Sequence, residues 1–173
     1  MSNSIIFPGQ GSQKVGMGKN FFDNFLSARE VFEEVNDSLS QDLSKIMFNG
    51  PVEELTMTEN AQPAIMSVSM AIIRILEQEF KIDLSKCISY AAGHSLGEYT
   101  ALSAAQSLTI SEVAKLLKIR GKSMQKQVPI GKGAMAAIMG GNIESVNSII
   151  KEIETDLVCE VANHNTFSQI VIS

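Results

Sequence analysis

Apolar residues recur along the chain at two spacings, and the changes between them predict its elements. Ser4-Ile5-Ile6-Phe7 is a short apolar run that reads as a strand. Phe21 to Leu39 carries Phe22, Phe25, Leu26, Val31, Phe32, Val35 and Leu39 on one stripe, interrupted by Asp23, Arg29, Glu30, Glu33 and Glu34, and is predicted as one helix. Leu43 to Phe48 reads as a short helix closed by the Asn49-Gly50-Pro51 turn, and Val52 to Leu55 as a single turn with solvated carboxylates. Thr58-Glu59-Asn60 offers capping groups to a long helix, with Pro63 expected in its first turn. The wide apolar face of that helix (Ala64, Ile65, Val68, Ala71, Ile72, Ile75) predicts deep burial. Gln62 lies at its start, where a side-chain amide can face a pocket.

Asp83-Leu84-Ser85 leads into Cys87–Ala92, a second strand, and Glu98 to Ala105 reads as a helix of small residues. Thr109-Ile110-Ser111-Glu112 fits a capping box. It opens a helix to about Gln127 with Val113, Leu116, Leu117, Ile119 and Met124 apolar. Val128-Pro129-Ile130-Gly131-Lys132-Gly133 is the best boundary in the chain. Beyond it the pattern gives a strand at Ala134–Met139, a helix at Asn142–Ile153, and strands at Leu157–Ala162 and Gln169–Ile172 around an Asn163-His164-Asn165 turn. That order, β-α-β-β, is the first two thirds of a ferredoxin-like unit. The last strand runs into Ser173, so the chain is expected to be cut inside a sheet. The expected class is α/β, with residues 1–128 as a large domain and 129–173 as a partial small one.

Charge and composition narrow the possibilities. A net charge of −5 with scattered basic residues argues against nucleic acid as a partner. Cys87 and Cys159 have no ligand-like neighbours, so neither a metal site nor a disulfide framework is expected, and both read as buried thiols in a reducing compartment. No signal-peptide pattern and no run of eighteen apolar residues is present, which makes a cytoplasmic protein without membrane attachment the expectation.

The chemistry centres on Gly93-His94-Ser95-Leu96-Gly97, between a strand and a helix. Gly-x-Ser-x-Gly there is the nucleophile-elbow pattern. The turn brings the residues two before and two after the serine together, and glycine removes the clash. The serine then stands at a helix N-terminus, where backbone N–H groups favour negative charge on a bound oxygen. The rival reading is a tight turn whose serine caps the helix. His94 is read as a packing or orienting residue, because neighbours at a sharp turn point apart. Four glycines between Gly9 and Gly18 make a permissive loop after the first strand, but they match neither a phosphate loop nor a dinucleotide fingerprint.

Arg120 follows Leu116 by four and Leu117 by three, and precedes Met124 by four, which puts a guanidinium on the apolar stripe. Lys115, Lys118, Lys122 and Lys126 on the same helix are expected to reach solvent. A buried guanidinium needs a partner. It is either an internal carboxylate or the carboxylate of a substrate, held bidentately.

These stretches together resemble the malonyl-CoA:acyl carrier protein transacylases of fatty-acid synthesis. The resemblance rests on Phe7–Gln13, Ala61-Gln62-Pro63-Ala64, Gly93–Tyr99 and Arg120-Gly121 with Met124-Gln125. It continues through Gly131–Ile138 and Asn163-His164-Asn165 with Gln169–Ser173. Thr166-Phe167-Ser168 departs from the family's small-residue and proline pattern. The resemblance implies an α/β-hydrolase-like large domain, incomplete at the C-terminus, with a partial ferredoxin-like small domain. It implies Ser95 as the nucleophile that carries a malonyl ester, and the backbone N–H groups of Gln10 and Leu96 as the oxyanion hole. Arg120 would pair with the malonyl carboxylate, and Gln62, His94 and Asn163 would stand near the substrate. It implies malonyl-CoA and acyl carrier protein as substrate and partner, and no metal or other cofactor. The family's catalytic histidine falls beyond Ser173, and neither His94 nor His164 matches it. A serine without a positioned base is a poor nucleophile. A serine hydrolase with the same elbow, and an inactive fragment, are the alternatives.

Overall fold

The computed structural model describes residues 3–128, 131–153 and 158–173. The chain is mixed α/β and divides into two compact units, Met1–Lys126 and Gln127–Ser173. Among the described residues no helix is long and apolar enough to cross a membrane, and no three His, Cys, Asp or Glu side chains are grouped to hold a metal ion.

The first unit runs β1 (Asn3–Phe7), α1 (Lys19–Asn24), α2 (Leu26–Leu39), α3 (Leu43–Asn49), α4 (Val52–Thr56), α5 (Thr58–Gln78), α6 (Leu84–Cys87), β2 (Ile88–Gly93), α7 (Leu96–Ala104) and α8 (Ile110–Gln127). Its core gathers on α5, whose Ala64, Ile65, Met66, Met70 and Ala71 join Val31, Phe32 and Val35 of α2, Leu96 of α7 and Val113 and Leu117 of α8 in one buried cluster. Full burial of each large side chain there stabilises the fold by about 1.5–3 kcal/mol. β1 and β2 pair in parallel, with Ser4 opposite Tyr90 and Phe7 opposite Gly93. That pairing brings the ends of two strands, and the loops that leave them, side by side.

Several expectations need correction. Phe21–Leu39 is two helices, broken at Phe25, which is extended at φ −130° and ψ 122°. The break accompanies an aromatic cluster in which Phe22 meets Phe32 and Phe48 at centroid distances of 6.0 and 5.2 Å; this packing outweighs helical continuity. Pro63 is the sixth residue of α5, so it lies beyond the first turn. Asn60 does not cap that helix. Its Nδ2 donates to the Glu54 carbonyl at 2.9 Å and its Oδ1 accepts from Gln41 and Lys118, so tertiary contacts claim it. Cys87 ends α6 and is exposed, and Cys159 is half-buried. Among the described residues only β1 pairs with β2, and the middle residues of β2 are exposed.

On α8 the capping box forms as expected: Glu112 N–H donates to Thr109 Oγ1 at 3.2 Å, and the Glu112 carboxylate accepts from the Thr109 N–H at 2.8 Å. Its buried line is Ile110, Val113, Ala114, Leu117 and Gly121, whereas Leu116, Ile119 and Met124 are exposed. Gly121 explains the shift. A Cβ there would stand 2.7 Å from the Glu59 N and the Thr58 carbonyl, so α8 meets the first turn of α5 backbone to backbone. Lys118, one turn earlier, is drawn in with it and keeps only 15% of its side chain exposed, against the expectation of a solvated lysine.

The second unit runs β3 (Ala136–Met139), α9 (Ile143–Glu152), β4 (Val161–Thr166) and β5 (Gln169–Ile172), in the expected β-α-β-β order. The sheet is antiparallel with β5 in the centre, and Ile170 of β5 and Val146 of α9 are the buried side chains among the described residues of this unit. Asn142 caps α9 by accepting from the Ser145 N–H at 2.8 Å. Asn163-His164-Asn165 is not a turn. It lies inside β4, with Asn163 opposite Val171 and His164 opposite Ile170, and the hairpin turns at Phe167-Ser168. There the Ser168 N–H donates to Thr166 Oγ1 at 3.2 Å, a local bond that closes the turn beyond the expected one. Pro129, Ile130 and the expected strand start at Leu157 lie outside the described residues.

Candidate active site

β2 ends at Gly93 and α7 begins at Leu96, so His94 and Ser95 make the whole turn between them. Ser95 adopts φ 54° and ψ −112°, a conformation that L-residues rarely take. The turn is pinned by the His94 N–H donating to the Phe7 carbonyl at 3.1 Å and by the Gly97 N–H donating to the His94 carbonyl at 2.9 Å. Both flanking glycines are required by space. A Cβ on Gly93 would run into the Gly97 carbonyl, and a Cβ on Gly97 into the Phe7 carbonyl oxygen. The loop after β1 is equally close: Gly9 leaves room for the His94 ring, whose Nδ1 would collide with a Cβ there. Gln10 follows, its amide Nε2 reaching Thr58 Oγ1 at 3.4 Å. Leu96 is fully buried as the first residue of α7, and the first N–H groups of a helix have no partner within it.

Arg120 and Gln62 come to the same place from α8 and α5. Arg120 Nη2 donates to Ser95 Oγ at 3.0 Å, and Arg120 Nη1 donates to Gln62 Oε1 at 2.8 Å. Gln62 is fully buried, and its Nε2 points to the Met124 sulfur at 3.4 Å. The Arg120 guanidinium carbon stands 5.9 Å from the Tyr99 ring centroid. Among the described residues no carboxylate pairs with Arg120. The result is an exposed serine hydroxyl touched by a cation whose other contacts are an amide and a ring. Such a place favours an anionic group beside the hydroxyl.

The comparisons with known proteins meet this geometry. The acyl transferase domain family matches residues 5–173. The malonyl CoA-acyl carrier protein transacylase of Bacillus subtilis strain 168 is 40% identical over 171 residues, 98% of this chain and 52% of that protein. The transacylase of Escherichia coli K12 is 38% identical over 98% of this chain and 54% of its own length. The crystal structure of the acyl-carrier-protein S-malonyltransferase from Bartonella henselae superposes with a TM-score of 0.92 at 48% identity, over 99% of this chain and 55% of that one. The chain belongs to the malonyl-CoA:acyl carrier protein transacylase family. It spans about half the length of the transacylases it matches. A further transacylase, solved in complex with a type II PKS acyl-carrier protein, superposes with a TM-score of 0.89 at 38% identity.

Of the residues singled out from the resemblance to the transacylases, Arg120 meets both Ser95 and Gln62, Gln10 lies in the loop after β1, His94 in the turn before the serine and Leu96 at the start of α7. Asn163 stands on β4 of the second unit with an exposed side chain. Two contributors went unrecognised, Tyr99 under the guanidinium and Met124 against the Gln62 amide. Both carried a signal. Tyr99 follows Ser95 by four and Met124 follows Arg120 by four, one helical turn in each case.

Proposed function

We propose that this chain carries the acyl-loading half of a transacylase that moves malonyl from malonyl-CoA to acyl carrier protein through a malonyl-Ser95 ester. The observation that carries the reading is the 3.0 Å contact between Arg120 Nη2 and Ser95 Oγ, made by a guanidinium with no carboxylate partner among the described residues. In a malonyl ester on Ser95 the free carboxylate carbon lies three bonds from Oγ, within reach of that guanidinium. Ser95 Oγ attacks the thioester carbonyl, the C–S bond breaks, and CoA leaves as the thiol. The pantetheine thiol of the carrier then attacks the serine ester, and Oγ leaves with a proton. The backbone N–H groups of Gln10 and Leu96 would hold the oxyanion in both steps, a role worth about 2.7–4 kcal/mol per donor. Gln62 fixes the guanidinium, His94 braces the elbow against Gly9, and Asn163 is assigned a place near the substrate by family likeness. The base that takes the serine proton is assigned to no residue of this chain.

The same reading takes Met1–Lys126 as an α/β-hydrolase-like large domain, Gln127–Ser173 as part of a ferredoxin-like small one, and the cytoplasm as the place of action.

Intact-mass spectrometry after incubation with malonyl-CoA tests the loading step. A malonyl adduct present in the wild type and absent in Ser95→Ala is the expected result, with transfer to carrier protein exceeding hydrolysis. Arg120→Ala should lose malonyl loading by about 10²-fold and favour acetyl-CoA relative to wild type. A folded wild-type chain that takes up no malonyl group, or an Arg120→Ala protein with unchanged selectivity, would overturn the assignment.

A further inference from the structure

α8 crosses the first turn of α5 at a point where neither helix has a side chain between them. Gly121 lies on the Glu59 backbone, and such a contact does not by itself stop α8 from rolling. The polar groups on either side of it do different things. At about 100° per residue, Arg120 and Met124 lie on one side of Gly121, where they meet Gln62; Lys118 lies on the other. Lys118 Nζ donates to Gln41 Oε1 at 2.8 Å and to Asn60 Oδ1 at 2.8 Å, and stands 3.6 Å from a Glu59 carboxylate oxygen. Gln41 Nε2 also donates to Asn60 Oδ1 at 3.1 Å, and Asn60 Nδ2 to the Glu54 carbonyl at 2.9 Å. The ammonium thus closes a ring of partners, in a place where Asn60 is almost fully buried.

We propose that Lys118 is a positioning residue for Arg120: its clasp on Asn60, Gln41 and Glu59 fixes the roll of α8 about the Gly121 contact, and so fixes where the guanidinium meets Ser95. The inference rests on the acyl-transfer reading, which gives Arg120 a carboxylate to hold. A roll of about 10° displaces a group some 6 Å from a helix axis by about 1 Å. Displacements of that size are felt steeply in a reaction that depends on orientation. Burial pushes the Lys118 ammonium below its ordinary value while the Glu59 carboxylate pulls it back, the state of a cation held in place by its partners. Lysine is suited to the task. Its compact head takes several acceptors at once, whereas Arg120 presents a planar fork to the acyl group.

The test compares wild type, Lys118→Met, Lys118→Arg and Gln41→Ala in the full chain. One readout is the order of the Arg120 Nε–H group by ¹⁵N relaxation; the other is the ratio of malonyl to acetyl loading on Ser95 by intact mass. Lys118→Met should lose the ordered Arg120 signal and lower the ratio about tenfold. Lys118→Arg should keep at least half of the preference, and Gln41→Ala should lower it about two- to threefold. A role confined to stability would shift the melting temperature alone. A Lys118→Met protein that melts cooperatively with Arg120 order and ratio unchanged overturns the proposal. If that variant does not fold, Gln41→Ala decides by the same two readouts. A wild-type chain that loads no malonyl overturns the acyl-transfer reading, and Arg120 order then judges the positioning claim by itself.

Discussion

Ser95 holds its hydroxyl outward by adopting φ 54°, in a region that costs a residue with a Cβ about 1–3 kcal/mol. The surrounding bonds impose this: the His94 N–H is tied to Phe7, and the His94 carbonyl to Gly97. Glycine at the same place pays little for positive φ. Ser95→Gly should therefore melt above Ser95→Ala by a few degrees, a margin of about 1 kcal/mol or more, in a calorimetric comparison. Equal melting points would mean that the turn relaxes in the variants. The need for glycine at 93 and 97 was readable from five residues, because the clash is local and follows from the tightness of the turn. The partners of Arg120 were not. Gln62 and Arg120 are 58 positions apart, and Met124 looked like core until the Gly121 contact turned that face of α8 outward. Lys118 deceived for the same reason, since its spacing says surface while the backbone contact at Gly121 draws it inward.

Among the elements, α8 is the one whose start is written most plainly. Thr109 and Glu112 exchange bonds across the first turn, and the Thr109 N–H and hydroxyl both hold the Glu112 carboxyl below its ordinary value of 4.5. The sign of the pH dependence follows. A lowered folded value means that this contribution is complete above the unfolded value, shrinks as pH falls below it, and is gone once pH has passed below the lowered folded value. Thermal melts from pH 7 to pH 3 should show wild type losing more stability than Glu112→Gln over that window, and parallel curves would refute the linkage. Thr109→Ala should cost about 1 kcal/mol at neutral pH by removal of the cap. The box was legible because every group in it lies within four residues. The division of α1 from α2 was not, because it depends on Phe48, which reaches Phe22 from another helix. The Asn163 segment misled in a related way: asparagines favour turns, yet the pairing of His164 with Ile170 and Asn163 with Val171 keeps them in a strand.

At the scale of the whole molecule the two units differ in how much they bury. Met1–Lys126 closes its core on a 21-residue helix, whereas Gln127–Ser173 shows only Val146 and Ile170 buried among its described side chains. A unit of that size is at the margin of independent stability. Hydrogen exchange should find the amides of α5 protected to the global limit and those of β3, β4 and β5 exchanging at least about tenfold faster. Equal protection would show the second unit to be as stable as the first. The mixed α/β class and the β-α-β-β order of the second unit were legible from periodicity, since both arise from patterns within single elements. What the pattern could not convey was how exposed the two strands are: Ile6 on β1 and Tyr90 on β2 remain 76% and 69% exposed.

The parallel pairing of β1 with β2 also sets a schedule. The first strand is complete at Phe7, but its partner starts at Ile88, with six helices between them. At a synthesis rate of about 5–20 residues per second, Ile5, Ile6 and Phe7 wait on the order of 4–16 seconds before β2 exists for them to join. Helices α2 and α5 can associate in that interval, because their contacts need no residue beyond Gln78. The elbow cannot, since residues 93–97, whose His94 N–H bonds Phe7, are not yet made. A ribosome that pauses before residue 93 would therefore hold a helical nucleus with β1 not yet paired to β2, and the Ser95 turn would take shape only after that pairing partner is made.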